Sequence, residues 1–217
     1  MAKQLSFKKL SGWGGKRKGA GRKNRTNQVA HGPRAKVSRK NPMHITLRVR
    51  KGVVNLRSHG IFKDFKRALR EAKRFGLSVN QFSLQGNHLH LIVEAKNNAA
   101  LASGMKSFGA RFAKAVLRAS NQKGAAFAGR YHLHILKSPR EVKNALKYVL
   151  LNQAQHLKVV EHIDGYSSGY NFSRWHKLIK VSSWVQTQLS EPRPRDFSHL
   201  APAESWLLRE GWLKASG

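Results

Sequence analysis

The order in which hydrophobic periodicity changes along this chain is what most constrains its fold. Met43, Ile45, Leu47 and Val49 alternate with His44, Thr46 and Arg48, the period of a half-buried strand. Over residues 61–75, Phe62, Phe65, Leu69 and Ala72 make one helical stripe, and Lys63, Lys66, Arg67, Arg70 and Lys73 lie largely away from it. Residues 77–85 read as a second strand. Gly86-Asn87 then signals a turn, so the strand that opens at His88 pairs antiparallel with its predecessor. Residues 99–120 read as a long helix with Leu101, Met105, Phe108, Phe112 and Ala115 inward, and Lys106, Arg111, Lys114 and Arg118 on a basic side. A loop and a short strand over 130–136 follow. Strand, helix, strand, strand, helix, strand predicts an α+β fold: a ferredoxin-like antiparallel sheet with two helices on one face. One more helix is extra to that plan. Ser138 is its N-cap, Pro139 suits its first turn, Glu141 completes a capping box, and it is expected to reach about His156.

Charge then narrows the partner. There are 42 Lys+Arg against 10 Asp+Glu, a formal charge of +32, with no acidic residue before Asp64. A chain this basic repels itself unless a polyanion is present, so nucleic acid is the first partner to consider, with an anionic membrane or the ribosome behind it. The absence of Cys removes disulfides and thiolate metal sites. No stretch reaches the length of a membrane span, and the N-terminus lacks an apolar signal core, so a cytoplasmic, nucleoid-associated location is expected. Residues 1–41 are rich in Gly, Lys and Arg and read as a flexible basic arm. In its Gly12-to-Lys23 segment, Arg17 and Arg22 have the spacing to enter a minor groove, and a solvated basic tail is an equal reading. Residues 42–160 form the expected catalytic domain. Residues 161–217 form an extension with a Gly/Ser/aromatic loop, a helix over 181–189, a linker over 191–195 and a short helix over 203–209. Trp206, Leu207 and Trp212 are its docking residues, against either the core or nucleic acid.

The chemistry sits in Asn87-His88-Leu89-His90-Leu91-Ile92-Val93-Glu94. On a strand, His88, His90 and Ile92 share one face and Leu89, Leu91 and Val93 the other. Two adjacent imidazoles can share a divalent cation. On the helix from Pro139, Val142, Ala145, Leu146, Val149 and Leu150 form the buried stripe. Tyr148 lies roughly 120° and Asn152 roughly 80° from its middle, on one flank. If the extra helix covers part of the open sheet face, Tyr148 meets the histidines as a covalent nucleophile for phosphorus, with Asn152 offering a third, oxygen ligand. His132-Leu133-His134 is an equally spaced second pair. The first pair is preferred because a turn precedes it and an apolar strand carries it. Either pair is also readable as a polar sheet face with no ligand. Tyr131 is assigned to the core, while Tyr166 and Tyr170 lie in a loop able to reach the site.

His88-Leu89-His90 followed by Tyr148-Val149-Leu150-Leu151-Asn152 resembles the single-tyrosine HUH transposases, and most of all the REP-associated tyrosine transposases of bacterial genomes. Arg130-Tyr131-His132 before Pro139-Arg140-Glu141-Val142 shares that likeness, which spans residues 42–156. The resemblance implies metal ligands His88, His90 and Asn152 and the cofactor Mg²⁺ or Mn²⁺. It implies Tyr148 as nucleophile, single-stranded hairpin-containing DNA as partner, and nicking that leaves a 5′-phosphotyrosine and a free 3′-OH. It implies a monomer, or a homodimer that exchanges the tyrosine helix. Arg48, Lys106, Arg111, Lys114, Arg118 and Arg130 join the arm as DNA-contact candidates. Two other readings compete: a non-catalytic nucleic-acid binder on the same fold, and a hydrolase using metal-bound water.

Overall fold

The computed structural model describes residues 34–152, 163–179, 185–187 and 196–215. Strands β1 (Met43–Arg48), β2 (Leu77–Leu84), β3 (His88–Ala95) and β4 (His132–Ile135) form one sheet in the order β2-β3-β1-β4, with every pair antiparallel. Helices α1 (His59–Lys73) and α2 (Asn98–Ala119) connect them as the ferredoxin-like plan requires. Each helix begins where a side chain satisfies a stranded N–H. Ser58 Oγ accepts from Ile61 N at 3.4 Å, and Asn97 Oδ1 accepts from Ala100 N at 2.9 Å.

One core lies between the sheet and these two helices. Ile45, Leu47, Leu89, Leu91 and Phe82 meet Phe65, Leu69, Phe108 and Phe112, all buried. Phe65 touches Phe82, Phe108 and Phe112 at centroid separations of 5.0, 5.9 and 5.5 Å, edge to face. α2 crosses β2 so closely that a Cβ on Gly104 would lie 2.3 Å from Leu77 Cβ. The packed chain starts earlier than Pro42. Val37 is buried in this core, its N–H donates to Asn98 Oδ1 at 2.7 Å, and Arg34 lies 3.8 Å from the Tyr131 ring.

The opposite sheet face is half covered. Helix α3 (Pro139–Leu150) opens with the capping box: Ser138 Oγ accepts from Glu141 N, and the Glu141 carboxylate accepts from Ser138 N, both at 3.2 Å. Its buried stripe is Val142, Ala145, Leu146, Val149 and Leu150, packed with Ile92 of β3 in a second apolar cluster. Helix α3 is interrupted at Leu151, at φ −104°, ψ 9°, and Asn152 is helical again; the expected continuation to about His156 falls in residues 153–162, outside the described residues.

The C-terminal extension completes that second cluster. Phe172, Trp175, Leu207, Leu208 and Trp212 pack in it, with short helices α4 (Trp175–Leu178) and α5 (Trp206–Arg209) supplying the positions. Of the docking residues read from sequence, Leu207 and Trp212 are buried against the core, whereas Trp206 is exposed. The expected helix over 181–189 is described only at 185–187, and the 191–195 linker lies outside the described residues. Three polar anchors hold the extension. Arg57 donates to both oxygens of the buried Asp164 carboxylate, each at 2.8 Å. The buried Glu94 carboxylate accepts from Glu204 N at 2.9 Å and Ser205 N at 2.8 Å, at the start of α5. Backbone bonds from Leu84 N to Tyr166 O, Ser168 N to Phe82 O and Ala201 N to Val79 O cover the open edge of β2.

Candidate active site on the open sheet face

Register places the histidines. Thr46 of β1 stands opposite His90 on one side and His132 on the other; His44 stands opposite Ile92 and His134; Arg48 stands opposite His88. Residues directly opposite each other in an antiparallel sheet point to the same face. His44, His88, His90, His132 and His134 therefore share the face that α3 only partly covers. The second His-x-His pair is thus a neighbour of the first across β1, and His134 Nε2 lies 3.9 Å from Glu141 Oε1.

Tyr148 reaches the first pair within its own chain. Its ring meets His90 at 5.0 Å and His44 at 5.7 Å between centroids, both edge to face, and it is 42% exposed. His88 and His90 are 4.8 Å apart, ring to ring. The remaining tyrosines pack elsewhere. Tyr131 lies partly buried against the first core, Tyr166 against Phe62 at 5.2 Å and under Arg57, and Tyr170 against the second cluster. Burial raises the Tyr131 phenol above its ordinary value.

His90 is buried, and its Nδ1 contacts Thr46 Oγ1 at 3.1 Å and His44 Nε2 at 3.2 Å. With the proton on Nδ1, Nε2 presents a lone pair. His88 Nδ1 lies 2.7 Å from Asn87 Oδ1, which fixes its ring the same way round. Burial, then the proximity of His44 and His88, pushes His90 down to about 3; burial, then His132 and His134, pushes His44 down to about 4. At neutral pH these rings are uncharged and offer lone pairs.

Among the described residues no three His, Cys, Asp or Glu side chains gather as a ligand set. Among the described residues, His90 Nε2 and Asn152 Oδ1 are both buried without a hydrogen-bond partner. Two orphaned acceptors are costly unless something cationic or protic satisfies them, so the residues present fit a divalent ion completed by further oxygens. Asn152 is 2% exposed, unlike Tyr148, and the turn at Leu151 lies between the two.

The basic candidates separate by layer. Arg48 is exposed on the histidine face and Arg130 is exposed just before β4. Lys106, Arg111, Lys114 and Arg118 lie on α2, in the layer across the sheet. There Arg111 pairs with Glu71 at 3.5 Å and Arg118 with Asp64 at 2.8 Å. Arg17 and Arg22 lie outside the described residues. The sequence pattern alone does not single out His44 and Thr46 as site residues. Their signal is nonetheless there: they are the polar positions of an alternating strand that the ferredoxin-like order seats beside β3.

No protein-family profile and no curated protein matches the sequence. Among solved structures, a REP-associated tyrosine transposase bound to a REP hairpin aligns with a TM-score of 0.55 at 16% identity, over 82% of this chain and 100% of that one. A putative transposase from Deinococcus radiodurans R1 aligns with a TM-score of 0.38 at 14% identity, over 60% of this chain and 93% of that one. The chain therefore has the α+β fold of the hairpin-bound transposase. No helix among the described residues is long and apolar enough to cross a membrane.

Proposed function

We propose that this protein is a transposase-like enzyme of the single-tyrosine HUH kind, acting on single-stranded, hairpin-associated DNA. The observation that carries the reading is the contact of the exposed Tyr148 ring with His90 and His44, beside an orphaned imidazole nitrogen. The Tyr148 oxygen attacks phosphorus, forming the P–O(Tyr) bond as the P–O3′ bond breaks. The phenol gives up its proton and the departing 3′ oxygen gains one. The 5′ phosphate stays on Tyr148 until a 3′-OH attacks it in the reverse sense, so no nucleotide hydrolysis is needed to rejoin the strands. A Mg²⁺ or Mn²⁺ ion on His88, His90 and Asn152 would supply charge that polarises a phosphate oxygen. Arg48, opposite His88, neutralises phosphate on the same face, and neutral imidazoles leave that attraction to arginine. The α2 cations serve only a duplex that wraps around the sheet.

The test is a covalent adduct. Labelled single-stranded hairpin DNA, Mg²⁺ or Mn²⁺ and the full chain should give a labelled protein band that survives denaturation and vanishes in Tyr148→Phe. Cleavage that persists in Tyr148→Phe would point to hydrolysis by bound water instead. Tight binding with neither adduct nor cleavage on a panel of single-stranded hairpins would point to a non-catalytic binder.

A further inference from the structure

The chemistry proposed above leaves the histidine pair of β4 unused. His132 and His134 are both exposed, and the period of two puts them on the face of His90 and His44. The same spacing in His88 and His90 brings those rings within 4.8 Å of each other. Residues 136–138 turn the chain from β4 into α3, which sets Glu141 in the first helical turn beside the pair. The Glu141 carboxylate divides its work. Oε2 accepts from both Lys137 N and Ser138 N at the helix cap. Oε1 faces His134 Nε2 at 3.9 Å, with the two side chains 40% and 53% exposed. That separation is too long for a hydrogen bond. It is within the reach of a shared metal ion. Two bonds of about 2.0–2.2 Å to one Zn²⁺ span about 3.4 Å at the tetrahedral angle and at most about 4.3 Å.

We propose that His132, His134 and Glu141 form a second divalent-metal site, of the zinc class, that ties the edge strand β4 to the first turn of α3. Two imidazoles and one carboxylate, with a fourth position left to water, are a set that Zn²⁺ accepts in open tetrahedral sites. A borderline ion suits these donors better than hard Mg²⁺ does. Glu141 supplies negative charge in a chain whose overall field repels cations. The three side chains do not yet converge as a cluster. Closing the set asks for rotamer changes of exposed groups, which take picoseconds to nanoseconds. The pair stands two strands from His90, about 10 Å away at about 4.8 Å per strand. Two-metal catalytic centres hold their ions about 3.5–4 Å apart, so this ion is not a second catalytic metal. Its effect is mechanical. β4 has four residues and lies at the edge of the sheet, and an ion bonded to both elements fixes that edge to the helix of Tyr148.

The site stands whether or not Tyr148 is a nucleophile, and its test needs no DNA. The probe is Co²⁺, because tetrahedral cobalt absorbs visible light far more strongly than octahedral cobalt. The untagged full chain carrying His90→Ala, which disables the neighbouring site, is titrated with Co²⁺ and then with Zn²⁺. An intense band should saturate at one ion per chain and vanish as Zn²⁺ displaces the cobalt. His132→Gln and His134→Gln, both at exposed positions, should each weaken binding at least about tenfold. Glu141→Gln should weaken it several-fold while keeping the capping box, since Gln serves that position too. Zn²⁺ should slow amide hydrogen exchange in β4 and the first turn of α3, and should not do so in His134→Gln. A missing band, or one that survives both histidine substitutions, overturns the site. Exchange that zinc leaves unchanged, or binding indifferent to Glu141→Gln, overturns the tie to α3. If a variant fails to fold, the ring signals of His132 and His134 in the parent chain decide, and signals that Zn²⁺ does not shift overturn the site equally. A chain without a Tyr148 adduct that still shows the band would lose the enzyme reading and keep this site; the opposite result would do the reverse.

Discussion

His44 and Thr46 contact the same nitrogen of His90, so removing both should cost far more than removing either. With His90 Nδ1 protonated, its N–H has two acceptors, Thr46 Oγ1 at 3.1 Å and His44 Nε2 at 3.2 Å, in a site where His90 is 3% exposed. Thr46→Val or His44→Phe leaves one acceptor, and each single variant should lose about 0.5–1 kcal/mol, a few-fold in ion affinity. In the double variant the N–H of the buried His90 becomes an orphaned donor, at about 1–3 kcal/mol. The ring relieves this by moving its proton to Nε2, and that nitrogen then has no lone pair to give. At about 1.4 kcal/mol per tenfold, independent single losses would multiply to roughly 5- to 30-fold, so the double variant should fall beyond that product, toward roughly 150-fold in affinity. The assay is Mn²⁺ binding by electron paramagnetic resonance in the Tyr148→Phe background, with adduct formation measured in parallel on Tyr148 protein. The substituents keep the shape of the originals, so thermal unfolding should move little in either single variant. A double variant whose loss equals the product of the two single losses would refute the reasoning, because it would show no shared hydrogen bond.

Other outcomes follow from the same structure. Stability should fall as pH drops. His90, His44 and His199 are held well below the ordinary histidine value in the folded chain, while the unfolded chain titrates near 6.5. Below 6.5 the unfolded state gains protons that the folded state refuses, so stability is full above that pH and is lost down to about 4 for His44 and His199 and about 3 for His90. His199 alone contributes about 3 kcal/mol, readable by urea unfolding between pH 7 and 4; a flat profile would contradict the burial argument. Trp212→Ala should cost about 3–5 kcal/mol and slow adduct formation, because that ring is buried in the cluster that seats α3. A loss under about 1 kcal/mol would show that α3 stands without the extension. Deleting residues 1–33, short of the packed Arg34 and Val37, should weaken DNA binding. It should also flatten the salt dependence by about 0.7–0.9 log units for each phosphate the arm no longer neutralises, and an unchanged slope would make the arm idle.

Much of the fold was legible from local pattern. The alternation of Met43, Ile45 and Leu47, the stripe Val142, Ala145, Leu146, Val149 and Leu150, and the capping box at Ser138 each declare an element within a dozen residues. Side-chain direction repeats every two residues in a strand and every 3.6 in a helix, and a sequence carries those periods directly. The face shared by His88 and His90, and the placement of Tyr148 off the buried stripe, came from the same arithmetic. The termini of elements were less legible. A turn at Leu151 interrupts the tyrosine helix, and Asn152 beyond it is buried while Tyr148 is exposed.

What joined the site was tertiary. His44 and His90 are 46 residues apart and meet only because β1 pairs with β3. The pairing of β4 with the other edge of β1 turned the second histidine pair from a rival into a neighbour, and the helical layer set the α2 cations across the sheet from both. The extension's role was equally hidden, since nothing local tells a tryptophan whether protein or nucleic acid will cover it. Sequence by itself determined the elements, the histidine strand, the tyrosine helix and the charge that calls for nucleic acid. Only the folded chain decided which rings touch, which nitrogens are left dry and which cations face the site, because burial and contact depend on strand neighbours that lie far apart along the chain.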